Sequence, residues 1–155
     1  MTEDRRLRPP DEHEKTIDSL VKKGIFETKQ AALTFAAALG YFRSKRRKLD
    51  SAGEGVRWQV FERSQDTAFI YALAITSEKT INVLDPETGN KDPVAQTFEE
   101  YAAAGFDAIG ELVASSGGES LDALLLLLAE ARRESAERPA GLEGLSSTTL
   151  DVLGI

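Results

Sequence analysis

The sequence predicts a mainly α protein, a compact helical domain with one short extended strand or hairpin element. Three observations predict it. Apolar residues recur at i, i+3, i+4 spacing along most of the chain. Residues that start and stop helices bracket those stretches: Thr28, Asp92-Pro93 and Ser120 before them, Gly24 and Gly40 after them. Only "VRWQVF", Val56–Phe61, alternates in period two, which reads as a strand.

The elements follow in order. Residues 1–10 read as a flexible arm closed by Pro9-Pro10. Asp11 can cap a helix through "EHEKTIDSLVKK", whose Ile17, Leu20 and Val21 face one way and whose end suits Gly24 at C′. Thr28 can cap "KQAALTFAAAL", ending at Gly40, with Leu33, Phe35, Ala36 and Leu39 apolar and alanines that admit a close neighbour. "DSAGEG", Asp50–Gly55, reads as a hinge before the strand. Asp66 or Thr67 starts "AFIYALAIT", with Phe69, Ile70, Leu73 and Ala74 inward, and the helix is expected to run on through "SEKTINVL". "DPETGNKDP", Asp85–Pro93, is a turn-rich loop. Asp92 as N-cap and Pro93 at N1 open "VAQTFEEYAAAGFDAIGELVAS", in which Gly105 marks a weak point or a close helix contact. Ser120 caps "LDALLLLLAEARRES". Residues 11–137 thus form one helical domain, and 138–155 a Gly/Ser-rich tail whose last segment, "TTLDVLGI", is able to dock.

At 155 residues and 41% hydrophobic, the chain fits one domain with a real core. It has no cysteine, which excludes disulfides, thiolate nucleophiles and thiolate metal sites. The polar N-terminus does not read as a signal peptide. The apolar run Leu121–Ala131 is too short to span a bilayer. No membrane contact and a cytoplasmic location are expected.

Catalytic constellations are missing from the pattern. The single histidine, His13, sits in a charged helix start and reads as a solvated polar residue. No cofactor and no metal site are expected. "DPETGNKD" lacks the ligand order and closing glutamate of an EF-hand. There is no phosphate loop, dinucleotide fingerprint or nucleophile elbow. Glu99, Glu100, Asp107 and Glu111 lie at helical spacing and read as a solvated acidic face.

Two stretches stand out. "GYFRSKRRKL", Gly40–Leu49, concentrates Arg43, Lys45, Arg46, Arg47 and Lys48 in a chain whose formal net charge is -7. Such a cluster can neutralise phosphates and bind DNA in a salt-dependent way. The alternative is that it pairs with the chain's own acidic helices. Tyr41 and Phe42 before it suit base stacking or core packing equally. In "LLLLL", the stripe Leu121, Leu124, Leu125 and Leu128 reads as the core face. Leu126 and Leu127 fall off that stripe and need a second cover, a partner or another copy of the chain. Trp58, the single tryptophan, reads as a core anchor.

"GIFETKQAALTFAAALGYFRSKRRKL", "GEGVRWQVFER", "FEEYAAAGFDAIGELV" and "LDALLLLLAE", in this order, resemble the fourth type of Dnd system-associated proteins, also called DNA phosphorothioation-associated proteins. The resemblance spans about Asp11 to Glu134. It implies association with bacterial systems that replace a non-bridging phosphate oxygen of DNA with sulfur and act with restriction partners in antiviral defence. It implies Dnd modification or restriction proteins as partners and carries no catalytic residue or cofactor. "GIFETKQAALTFAAALG" also resembles the helical part of ribbon–helix–helix proteins. Its strand position holds "RRLRPPDE", whose two prolines depart from the DNA-reading ribbon.

A binding role is therefore expected rather than a reaction. The leading expectation is a non-enzymatic accessory protein touching DNA through Arg43, Lys45, Arg46, Arg47 and Lys48. The alternative is a protein-binding adaptor, with homo-oligomerisation open. A carboxylate-and-metal hydrolase or nuclease is the least supported class.

Overall fold

Helix α5, Pro93–Ser115, is the axis on which most of the other elements pack. The computed structural model describes residues 5–85, 92–115, 117 and 120–137. The tail from 138, residues 1–4 of the arm, and residues 86–91 of the turn-rich loop with its calcium-like stretch lie outside the described residues. In chain order the elements are β1 (Arg6–Leu7), a 3-10 turn (Asp11–His13), α1 (Glu14–Lys22), α2 (Lys29–Phe42), β2 (Val56–Arg57), α3 (Trp58–Arg63), α4 (Thr67–Glu78), a second 3-10 turn (Ile81–Leu84), α5 and α6 (Ser120–Glu137). The fold is mainly α, as its periodicity predicts.

The caps follow local chemistry. Thr28 Oγ1 accepts the Ala31 N–H at 3.1 Å, and Asp92 Oδ1 accepts the Ala95 N–H at 3.1 Å, each satisfying an orphan donor of its helix. Asp66 precedes α4 without capping it by its side chain. Its carboxylate instead accepts from Gln30 and from Thr34, the latter at 3.1 Å.

Helix α1 ends in a Schellman motif. Gly24 bonds Val21 O at 3.0 Å and Ile25 bonds Leu20 O at 3.0 Å, with Gly24 at φ +74°. Helix α2 does not stop at Gly40. It runs to Phe42 and closes the same way around Ser44, whose N–H bonds Tyr41 O while the Lys45 N–H bonds Gly40 O, both at 2.9 Å. Ser44 therefore holds φ 53°, a left-handed conformation that costs a residue with a Cβ.

Gly40 serves another purpose. A Cβ on it would overlap the carbonyl oxygen of Tyr101, and one on Gly105 would overlap the carbonyl oxygen of Ala36. The two glycines let the backbones of α2 and α5 touch. Ala32, Ala36, Ala37, Ala102 and Phe106, all fully buried, fill the seam around them.

The expected strand "VRWQVF" is extended only at Val56–Arg57, and Trp58–Arg63 is helical. The helix buries Trp58 and Phe61 together, three residues apart on one face. β2 pairs antiparallel with β1, Arg6 opposite Arg57 and Leu7 opposite Val56. The arm is consequently built into the fold from Arg5 onward. Leu7, Pro9 and Pro10 are fully buried, and a bridge joins Pro10 to Ala52. Arg5 turns back on the fold, its guanidinium 4.1 Å above the Trp58 ring and bidentate to Asp92 at 2.6 and 2.7 Å. Helix α4 stops at Lys79, left-handed at φ 55°, rather than continuing through "SEKTINVL".

Candidate functional site

The segment Arg43–Lys48 leaves the C-terminus of α2 and runs along α5, where the Arg47 N–H bonds the Glu100 carbonyl at 3.1 Å. That path brings its arginines onto the carboxylates of α5. Arg46 bonds Glu100 at 2.5 Å and Glu78 at 2.7 Å, with its guanidinium 5.7 Å from the Tyr101 ring. Burial opposes the Arg46 charge, but the hydrogen bonds to Glu78 and Glu100 outweigh it and raise its pKa. The Glu100 side chain is only 8% exposed, and Gln96 Nε2 donates to it at 2.9 Å. A carboxylate this deep needs its cation, since an unpaired buried charge is costly.

Arg47 bonds Asp107 at 2.6 and 3.0 Å and Glu12 at 2.8 Å. The Asp107 hydrogen bond is the main cause of its raised pKa. Burial would raise Asp107, but hydrogen bonds from Arg47 and His13 hold it below the usual aspartate range. Glu12 is lowered too, chiefly by a hydrogen bond from its own backbone N–H. Arg43 meets Glu130 of α6 at 3.3 Å.

The three arginines of the predicted DNA-contacting set thus face acidic partners of this chain. Lys45 and Lys48 are exposed, and no ion pair involves either among the described residues. Of the acidic face expected on α5, Glu111 is exposed as expected and the other three are engaged within the chain. Glu100 is buried, Asp107 is paired, and half-buried Glu99 accepts the Arg8 N–H at 2.7 Å.

His13 also departs from expectation. Its side chain is 15% exposed, with Nε2 2.7 Å from Asp107 Oδ1, and its ring lies 6.1 Å from Phe106. Glu12, His13 and Asp107 each place a ligand atom within 4.8 Å of the others. The Arg47 guanidinium bonds both carboxylates of this group and supplies its positive charge. Nothing in the pattern of a lone histidine 94 residues from Asp107 foretells the contact.

Helix α6 docks through Leu124 and Leu127, 5% and 3% exposed. The assignment of Leu127 to a partner interface is corrected: it belongs to this chain's core. Leu126 does point outward, 62% exposed, together with Leu121, Leu125 and Leu128 at 56%, 53% and 47%. The expected core stripe is therefore mostly a surface stripe. Only Leu124 of its four members is buried. Beside it, Phe42, Leu125, Leu128, Ala129, Ala131 and Arg132 line an open apolar groove between the end of α2 and α6. Tyr41 packs edge-on against Tyr101 with centroids 5.6 Å apart, and Phe42 lines the groove. Trp58 is a core residue as read from sequence, 5% exposed.

The architecture is that of a small, mainly α-helical domain with four exposed leucines on its last helix. The chain matches the family described as DNA sulphur modification system-associated protein 4 over residues 6–145 and belongs to it. No curated protein and no solved structure matches the chain. No helix among the described residues is long and apolar enough to cross a membrane.

Proposed function

We propose that the protein is a non-enzymatic accessory component of a DNA sulphur modification system and works as a protein-binding adaptor through the outer face of α6. One observation carries this reading: Leu121, Leu125, Leu126 and Leu128 stand exposed on one helix beside an apolar groove. Contiguous apolar surface of this kind marks association sites in soluble proteins. The family description, which ties these proteins to a modification system, supports a component of that system as the occupant. Glu100 and Asp107 of α5, each locked by an arginine, support a binding role over acid–base or metal-assisted chemistry.

Co-expression of the tagged chain with the modification and restriction proteins of its system tests the reading. The wild type is expected to co-purify with one of them in fixed stoichiometry. Leu125→Lys/Leu126→Lys is expected to lose that partner while keeping the wild-type melting temperature. Equal recovery by both chains, or by neither, contradicts the proposal. Light scattering on the purified chain separates a second copy as occupant.

A second reading places a DNA contact on the basic segment, carried by the exposure of Lys45 and Lys48. On this reading Lys45→Glu/Lys48→Glu weakens binding to duplex DNA at low salt. Equal anisotropy titrations of the variant and the wild type would rule it out.

A further inference from the structure

The ribbon formed by β1 and β2 sorts its side chains by face. Leu7 is fully buried and its cross-strand partner Val56 packs against the core. Alternation puts Arg6 and Arg8 on the other face, together with Arg57. Arg6 and Arg57 are direct cross-strand partners. A Cβ on Gly55 would lie 2.8 Å from Arg6 Cβ and 2.9 Å from Arg8 Cγ, so the glycine leaves room for both arginine stems.

Arg6 is half-buried and engaged within the chain, its Nη1 donating to Gly55 O at 3.2 Å. The chain has 26 acidic residues against 19 basic ones, and it neutralises Arg5, Arg46 and Arg47 with carboxylates. Arg8 and Arg57 are exposed. Among the described residues neither has an ion pair, although Arg8 lies close enough to act electrostatically on Glu99.

We propose that this outer face, through Arg8 and Arg57 beside Gly55, is a docking surface for the sugar–phosphate backbone of duplex DNA. Guanidinium groups match phosphate oxygens bidentately. A protein-binding hot spot centres on aromatic or apolar anchors, whereas the apolar residues of the ribbon, Leu7 and Val56, turn to the core and Trp58 is buried beneath Arg5. Guanidinium groups without an apolar centre favour a backbone-reading contact that carries no sequence specificity. Its residues are other than those of the α6 groove and other than Lys45 and Lys48, so it neither needs nor excludes the readings above.

The test is an anisotropy titration of the full chain with a 20-base-pair duplex, used as the probe, between about 50 and 200 mM salt. Each phosphate contact contributes roughly 0.9 to the slope of log affinity against log salt. Arg8→Ala/Arg57→Ala is expected to flatten the slope by about 1.8, at an unchanged melting temperature because both side chains are exposed. Arg8→Lys/Arg57→Lys, the variant to use should the alanine pair fail to fold, is expected to keep the slope and bind more weakly. Lys45→Glu/Lys48→Glu is titrated in parallel, so the ribbon and the basic segment fail or succeed separately. An unchanged slope in the alanine double variant, or no binding by the wild type, overturns the proposal.

Discussion

The seam between α2 and α5 and the outer face of α6 are built from similar residues and end in opposite states. Both are rich in small and aliphatic side chains. At the seam, Gly40 and Gly105 bring the two backbones into contact, and Arg46 and Arg47 lie on Glu100 and Asp107 beside it. On α6, Leu124 and Leu127 fasten the helix, and four leucines are left facing outward. Charge that looks like surface in the sequence ties the seam together. Apolar residue that looks like core makes up the surface. A run of like residues does not disclose its role until its neighbours are known.

The largest expected effect lies at the seam. Gly105→Ala would drive a methyl group into the Ala36 carbonyl, and backbone cannot step aside as a side chain can. A loss of about 3 kcal/mol or more in urea denaturation is expected. A near-neutral result would show that the helices do not touch there.

Leu127 and Leu126 sharpen the contrast within one helix. Leu127→Ala is expected to cost about 2–4 kcal/mol and Leu126→Ala less than about 0.5 kcal/mol. Similar costs for both would erase the distinction between fastening and outward residues.

Glu99 tests the seam's flank by pH. Burial pushes its carboxyl up to about 7, against an ordinary 4.5, with the Arg8 N–H hydrogen bond opposing. Between those values the folded chain holds a proton that the unfolded chain has released. The stabilising contribution is complete below the unfolded pKa and lost as pH rises through the folded one. Stability is expected to fall by roughly 2–3 kcal/mol between pH 5 and pH 8. The lowered carboxyls of Asp107 and Glu12 act in the opposite direction, with losses as pH falls through their depressed values. Urea titrations at three pH values should show the slope in the wild type and a flattened profile in Glu99→Gln, whose amide oxygen can still accept the Arg8 N–H.

The smallest effect is a gain. Ser44 carries φ 53° at the end of α2, so Ser44→Gly is expected to stabilise by about 0.5–1 kcal/mol. A decrease would mean that the serine side chain earns its place.

What was legible in the sequence was local. Thr28, Asp92-Pro93 and Gly24 act through neighbours a few residues away, and each does what its chemistry predicts. Gly105 was readable as a weak point of its helix or a site of close packing, and it is the close contact that the fold uses. Gly40 was not, because a glycine after an alanine run suits a helix end and a helix contact equally, and the real stop fell on Ser44. "VRWQVF" alternates over too few residues to separate a strand from a short helix, and burial of Trp58 with Phe61 decides for the helix. The pairing of Arg46 with Glu100 and of Arg47 with Asp107 spans 54 and 60 positions, beyond any spacing rule. The leucine run contains no polar residue to mark its outer side, so its orientation is set only when Leu124 and Leu127 dock.

Co-purification of the modification-system proteins with wild-type chain and with Leu125→Lys/Leu126→Lys tests the central claim most directly. The account predicts a stoichiometric partner on the wild type, lost from the variant at an unchanged melting temperature. A partner retained by the variant, or none on either chain, would contradict it.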